Sequence, residues 1–310
     1  MILTVTPNPC VDKTVFIDAL EVGAFMRASR FSCVPGGKGN NVARAVHTMG
    51  RATKAFVVVG GHTGAHVVDM IQHDDGVEAV PVWVASPTRT ITTVLEESVH
   101  RQTAFFEPGS RITSEEEQAI RTAFANAVQG ATVVTFNGTV SDKRIQMLYR
   151  DLIPIADAAG ALTILDTHGP ELAHGIDAAP YMVKPNVAEA AELVGYPLDT
   201  LEAKHDALAF FHQRGVSLVV LSMGKEGFLV SDGAKRYHVL PPAIEEINPV
   251  GSGDCLVAGF AIGLTEKFSL EEMATLGCAM GTANAMTWNI GHFDLQQLPF
   301  LGDRVVLRPT

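Results

Sequence analysis

The run Asn248-Pro249-Val250-Gly251-Ser252-Gly253-Asp254 passes directly into the small apolar stretch Cys255-Leu256-Val257-Ala258-Gly259-Phe260. The second half has the composition of a buried helix and predicts one from about Gly253. Gly251 and Gly253 let the backbone turn tightly and let a ligand come close. A helix N-terminus adds unpaired N–H groups and a partial positive charge. Gly251, Ser252 and Gly253 therefore suit a phosphate, or the charge that gathers on a phosphoryl group in transfer. Asp254 stands at the mouth of this loop and has two readings. It caps the helix, as Asp commonly does, or it takes the proton of an attacking hydroxyl. The short motif alone leaves both open.

Four other groups of residues could act with it. Pro35-Gly36-Gly37-Lys38-Gly39-Asn40-Asn41-Val42-Ala43-Arg44 is a glycine-rich turn entering a small-residue helix. Lys38 adds a compact positive charge there, and Asn40 and Asn41 add amides able to read hydroxyls. The spacing is neither a Walker loop nor a dinucleotide fingerprint. In Val183-Lys184-Pro185-Asn186-Val187-Ala188-Glu189, Asn186 and Glu189 share one face of a first helical turn. They could hold Mg²⁺ through water or form a capping box, and the two are compatible. Ser222-Met223-Gly224-Lys225-Glu226-Gly227 follows the apolar run Val216 to Leu221. It is either a ligand turn at the carboxyl end of a strand or a plain hairpin to Phe228–Val230. Asp12, Arg27 and Arg89, if gathered near Lys38, would suit a sugar that already carries a phosphate. Taken singly, each reads as a solvated surface charge.

Positioning such residues takes a scaffold. Ile2–Thr6, Ala55–Val59, Thr132–Phe136, Leu162–Leu165, Tyr181–Val183 and Ser217–Leu221 are Val/Ile/Leu-rich runs with little alternation, as in strands covered on both faces. Helical patterns separate most of them. One runs from Glu115 to Gln129, with Ser114 and Glu117 as its capping box. Another starts at Ser141 or Asp142 and continues through Ile145, Leu148, Leu152 and Ile155. This alternation predicts a doubly wound, mostly parallel α/β sheet with helices on both faces. Residues 11–35 and about 81–107 break the rhythm. Arg89–Glu96 alternates and predicts an antiparallel hairpin turning near Glu97 to Arg101. These segments predict a small β-sheet, either a lid over the site or a surface elaboration.

Composition narrows the function further. Hydrophobic residues are 47% and charged residues 18% of the 310, enough for a packed core and unlike a disordered chain. The formal net charge of −11 argues against a nucleic-acid surface. Four cysteines without a CxxC pair give no zinc pattern and fit a reducing cytoplasm. No apolar run reaches the roughly 18 residues of a membrane span. A soluble cytoplasmic protein without a membrane partner is expected.

With these residues assembled, the chain resembles the ribokinase-like sugar kinases of the phosphofructokinase B family. It is most similar to the 1-phosphofructokinase and tagatose-6-phosphate kinase branch. TPNPCVDKT, PGGKGNNVARA, KPNVAEAAEL, LSMGKEG and NPVGSGDCLVAGF resemble five motifs of that branch, in order and across nearly the whole chain. The resemblance implies one kinase domain over residues 1–310, a β lid, ATP as phosphoryl donor, Mg²⁺, and a place for a monovalent cation. It implies that Asp254 is the catalytic base and that Gly251 to Gly253 form the anion hole. Asp12, Gly37, Lys38 and Asn41 resemble sugar-binding positions, and Arg27 and Arg89 resemble ligands of the sugar's phosphate. Lys184, Asn186, Ser222, Gly224 and Gly227 resemble nucleotide-binding positions, Glu189 with Asn186 the metal-associated pair, and Gly277 to Met286 the wall beside adenine. Where the branch has SGSLP against the substrate, this chain has Asn137-Gly138-Thr139-Val140-Ser141. Asn40 and Asn289–Asp294 also depart from the pattern. The expected reaction is fructose 1-phosphate to fructose 1,6-bisphosphate. The alternatives are tagatose 6-phosphate, an unphosphorylated sugar or nucleoside, or a non-catalytic sugar or nucleotide sensor, against which the intact GSGD counts. A homodimer through the lid is also implied.

Overall fold

Strands that are buried at every position need cover on both faces, and the central ones have it. The computed structural model describes residues 1–99 and 101–310. Its strands are β1 (Ile2–Thr6), β2 (Cys10–Ile17), β3 (Arg30–Gly36), β4 (Thr53–Val59), β5 (Glu78–Trp83), β6 (Arg89–Glu96), β7 (Arg101–Phe106), β8 (Val133–Asn137), β9 (Leu162–Asp166), β10 (Met182–Val183), β11 (Leu218–Ser222), β12 (Phe228–Ser231), β13 (Arg236–Leu240) and β14 (Val306–Pro309). Its helices are α1 (Lys38–Thr48), α2 (Gly61–Asp69), α3 (Ser114–Ala127), α4 (Leu148–Ala158), α5 (Gly169–Gly175), α6 (Val187–Val194), α7 (Leu201–His212), α8 (Ser252–Glu266), α9 (Leu270–Ala285) and α10 (Gln297–Gly302).

The large sheet has ten strands in the order β14-β13-β12-β11-β10-β9-β8-β1-β4-β5. It is parallel from β11 to β5, and β12 to β14 extend it antiparallel. Successive strand residues serve opposite faces. Ile2 joins Val42, Val133, Ile164 and Phe260 under α1, α8 and α9. Leu3 and Val5 join Phe124, Phe136, Tyr149 and Leu221 under α3, α4 and α7. α8 and α9 pack backbone to backbone: a Cβ on Gly259 would strike the Gly277 backbone.

Two properties of this sheet place the site. The chain builds outward from β1 in both directions, to β4 on one side and β8 on the other. Such a reversal leaves a crevice at the carboxyl ends of the strands. The parallel register then aligns those ends. Asn137 pairs with Asp166, and a bridge joins Asn186 to Ser222.

The expected parallel sheet, its flanking helices and the small separate sheet are all present. The small sheet has four strands, β3-β2-β6-β7, with β6 and β7 antiparallel. Its hairpin turn spans His100, which lies outside the described residues. Residues 81–83 belong to β5 of the large sheet, so the second part of the lid starts at Arg89. The capping box of α3 is Thr113 with Glu116, not Ser114 with Glu117. Glu116 prevails because its other carboxylate oxygen accepts from the Ala85 N–H at 2.6 Å and ties the helix down. The helix expected from Ser141 or Asp142 is broken. A short turn at Lys143–Ile145, capped by Asp142, precedes α4 at Leu148. Among the described residues no helix is long and apolar enough to cross a membrane.

Candidate active site

Gly251 is the N-cap of α8, in the left-handed region at φ 82°. Asn284 of α9 secures the loop before it: its Nδ2 donates to the Val250 carbonyl at 2.8 Å and to Ser252 Oγ at 3.2 Å. Asp254 is the third residue of α8 and its side chain caps nothing. The capping reading is therefore wrong. Only 6% of Asp254 is exposed, and its Oδ2 accepts from Asn41 Nδ2 at 2.8 Å. A buried carboxylate at the mouth of a helix N-terminus, free of the helix's own N–H groups, is chemically able to exchange a proton there.

Two lysines flank this loop. Lys38 Nζ lies 3.3 Å and Lys184 Nζ 3.2 Å from the same oxygen, Asp166 Oδ1. Lys184 Nζ is also 3.6 Å from where a Cβ on Gly253 would lie. Asp166 itself is wholly buried, and its Oδ2 has no partner. The two carboxylates are pushed apart. Burial raises Asp254 from 3.8 to about 6, helped by the negative charge of Asp166 and opposed by Lys38, Asn41 and Lys184. Burial would raise Asp166 too, but Lys184 and Lys38 outweigh it and hold Asp166 below its ordinary value. Burial works against the charge on Lys38, and Asp166, Asp254 and Glu189 more than restore it. Asp166 thus stays a counter-ion at neutral pH, and Asp254 is the carboxylate tuned toward acid–base work.

A cavity of about 710 Å³ opens on the other side of the loop, lined by Ser222, Gly224, Gly227, Ser252 and Gly253. The Ser222–Gly227 turn is the hairpin from β11 to β12, and it lines the cavity as well. Gly277, Gly281 and Ala285 of α9 leave the opposite wall without bulk. Asn186 and Glu189 do form a capping box: Asn186 Oδ1 accepts the Glu189 N–H at 2.9 Å, and Glu189 Oε2 accepts the Asn186 N–H at 2.8 Å. Glu189 Oε1 lies 3.9 Å from His168 Nδ1. Among the described residues no three His, Cys, Asp or Glu gather as a metal cage. One spare carboxylate oxygen beside a phosphate cradle fits a magnesium ion held mainly by phosphate and water.

The foot of the lid closes the other side. Cys10 pairs with both Gly36 and Arg89, so Asp12, Gly37 and Arg89 meet beside Lys38 at the start of α1. Burial pushes the Asp12 carboxyl up, against the pull of Arg44. Arg89 donates from Nη2 to the Asn8 carbonyl at 3.4 Å, and its buried Nε has no partner. Gly138, at φ 75°, faces the Lys38 stem. The Asn137 side chain folds back to donate to Thr135, leaving its buried Oδ1 without a partner. Two expected residues are not brought in. Asn40 is turned inward, donating to the Gly36 carbonyl at 2.9 Å and accepting from Thr6. Arg27 is exposed in the connection from β2 to β3, beyond the Phe16–Arg30 pair. That pair is roughly 20 Å along the strand from Cys10.

Residue-by-residue reading missed Asp166 and Arg44. A lone Asp closing an apolar strand was a usable signal for the first. For the second, the signal was an Arg among residues that all belong inside: Val42, Ala43, Ala45 and Val46.

Gly251→Ala tests how tightly the loop is built. A Cβ there meets a left-handed backbone and strikes the Ile290 side chain. The expected loss of stability is about 1–3 kcal/mol, read from urea unfolding, with a parallel loss of kcat. Unchanged stability would mean that the loop is soft.

Residues 5–287 match the profile of the pfkB family carbohydrate kinases. A tagatose-6-phosphate kinase from Staphylococcus epidermidis is 30% identical over 298 residues, covering 95% of each chain. The tetrameric inhibited form of phosphofructokinase-2 from Escherichia coli superposes with a TM-score of 0.89 at 27% identity, over 97% of this chain and 98% of that one. A possible 1-phosphofructokinase from Thermotoga maritima has the same fold, with a TM-score of 0.89 at 22% identity over 100% of this chain and 99% of that one. Profile, overall likeness and the order of the five motifs agree, and the chain belongs to the pfkB family of carbohydrate kinases.

Proposed function

We propose that this kinase transfers the γ-phosphoryl group of ATP to a hydroxyl of a phosphorylated ketohexose. Fructose 1-phosphate is the leading acceptor and fructose 1,6-bisphosphate the product. One observation carries the reading: Asp254 is a buried carboxylate free of the helix it begins, beside an anion loop and two lysines. Asp254 takes the hydroxyl proton, and the amides of Gly251 to Gly253 receive the charge of the transferring group. Lys38 and Lys184 balance the nucleotide and transferring phosphates. Ser222, Gly224 and Gly227 bound the nucleotide cavity, with the magnesium ion near Glu189 supplying charge neutralisation when bound. Asp12, Asn41 and the Asn137-Gly138 segment face the sugar, and Arg89 binds its existing phosphate. The unpartnered Arg89 Nε supports that last role, because a buried guanidinium donor needs an acceptor. The likeness to a tagatose-6-phosphate kinase favours tagatose 6-phosphate as second acceptor.

Residues 1–310 work, in this reading, as one cytoplasmic kinase domain. Val22, Phe25, Phe31, Phe105 and Phe106 are exposed on the lid, an apolar face that supports a homodimer through it. A second lid closing over the site is also how Arg27 would reach a sugar phosphate.

The test is ADP release across a panel of ketose phosphates and free sugars, with Arg89→Ala beside the wild type. KM for the phosphosugar should rise on the order of 10- to 100-fold in the variant, with little change for free sugars. Equal KM values would overturn the phosphate role of Arg89. Absence of ADP across the panel would return the sensor reading.

A further inference from the structure

We propose that Arg44 is a positioning residue for the base: it grips the carbonyl end of Asn41, so aims the Asn41 amide at Asp254, and so fixes the carboxylate against the anion loop. The proposal rests on the reading of Asp254 as base.

Arg44 lies on α1 and is 2% exposed. A guanidinium is costly to bury, and a position surrounded by Val and Ala could be filled by an apolar side chain. Here each of its three nitrogens has a partner. Nε donates to Asp75 Oδ1 at 2.7 Å and Nη2 to the Pro35 carbonyl at 3.0 Å. Nη1 donates to Asn41 Oδ1 at 3.1 Å and to the Ile290 carbonyl at 3.2 Å.

The contact with Asn41 carries the inference. A primary amide has an acceptor end and a donor end of nearly equal shape. If Asn41 turned its oxygen to Asp254, two acceptors would face one another and the carboxylate would be repelled. Arg44 only donates, so it selects the oxygen and leaves Nδ2 for Asp254, at 2.8 Å. Asn41 and Arg44 are three residues apart on one helix face, which makes the arrangement local to α1. The Ile290 contact adds a second grip. The Ile290 side chain packs on Gly251, the N-cap of α8. One guanidinium therefore ties the orienting amide and the wall of the anion loop to the same point.

Asp75 anchors the far end. Burial would raise it, but the nearby His292 ring and the hydrogen-bonded Arg44 guanidinium hold it low. His292 Nε2 is 3.7 Å from Asp75 Oδ1. The other charged or titratable groups facing this chain are Asp12 and Cys255 toward Arg44, and Asp166, Lys38 and Lys184 toward Asp254.

The experiment is steady-state kinetics against pH for Arg44→Lys, Asn41→Leu, the double variant and Asp254→Asn, each checked by circular dichroism and melting. Lys keeps the charge and loses the fork. Arg44→Lys should lower kcat about tenfold and move the acid limb of kcat/KM to higher pH, because Asp254 loses a hydrogen bond that favours its charged form. In the Asn41→Leu background, Arg44→Lys should add less than about threefold, since it acts through Asn41. If Arg44→Lys does not fold, Asp75→Asn keeps the guanidinium, loosens its anchor, and should shift the limb the same way by less. A folded Arg44→Lys with wild-type kcat and acid limb overturns the proposal, and so does full additivity with Asn41→Leu. An active Asp254→Asn would instead overturn the base reading beneath it.

Discussion

Asp254→Asn is expected to lower kcat by about 10²-fold or more and, in the same protein, to raise the melting temperature at pH 7. The two effects share one cause. The site holds the carboxylate at about 6, above its ordinary 3.8, because burial and the charge of Asp166 disfavour its ionised form. A raised acid costs folding stability wherever it is ionised. The cost is absent below the unfolded value near 3.8, grows as pH rises, and is complete above the folded value near 6. Asparagine keeps the shape and can still accept from Asn41, but it carries no charge to desolvate. The gain should be on the order of 1–3 kcal/mol at pH 7 and vanish near pH 4. The wild-type kcat/KM should fall as pH drops through about 6, as the base protonates. Rate against pH and melting against pH, on wild type and variant, check both arms. A variant that keeps its activity sinks the base assignment. A variant that is dead and also less stable at pH 7 shows that Asp254 holds the fold together.

The frame of the molecule was legible in the sequence because it follows from pattern. Ile2–Thr6 is rich in β-branched residues, its two polar members are both threonine, and it is buried at every position. The glycines and lysines of the site could be found because a phosphate cradle needs open backbone and positive charge close together, and such residues cluster in the chain. What escaped were residues whose meaning lies in a partner far along it. Asp254 was marked as the base by the five motifs together, but the short GSGD run alone left capping open, and the Asn41 amide that holds its carboxylate lies 213 positions away. Arg44 looked like one polar residue on a helix, and its partners Asp75 and Ile290 come from separate loops. Arg27 and Arg89 looked alike as phosphate ligands, yet strand register puts one at the foot of the lid and the other beyond its far end. At α3, Ser114-Glu115-Glu116-Glu117 offered Glu at two capping distances, and only the tertiary contact to Ala85 chose between them.

Asp166→Asn should be the most damaging change outside the base, because it removes the one negative charge between two ammonium groups. Lys184 is 6% exposed and cannot turn to water, while Lys38 is 34% exposed and can. Removing one partner of a buried ion pair leaves the other uncompensated, at a cost of about 3–5 kcal/mol. Repulsion should then drive Lys38 outward and leave Lys184 uncompensated or displaced from the Gly253 side of the loop. The asparagine can still accept one hydrogen bond, which places the expected loss near the lower figure, about 3 kcal/mol in urea unfolding at pH 7. The sign with pH is opposite to that for Asp254. Asp166 is held below its ordinary value, so its stabilisation is present above about 3.8 and is lost as pH falls through the lower folded value. The gap between wild type and variant should therefore close in acid. Activity should fall about tenfold or more, with kcat hit harder than the KM of either substrate, since the lysines meet most charge while the phosphoryl group is in transfer. Equal stability at pH 7, or a gap that widens in acid, would mean that the two lysines do not depend on Asp166. The loop would then owe its charge balance to Asp254, and the division of labour between the two carboxylates would fail.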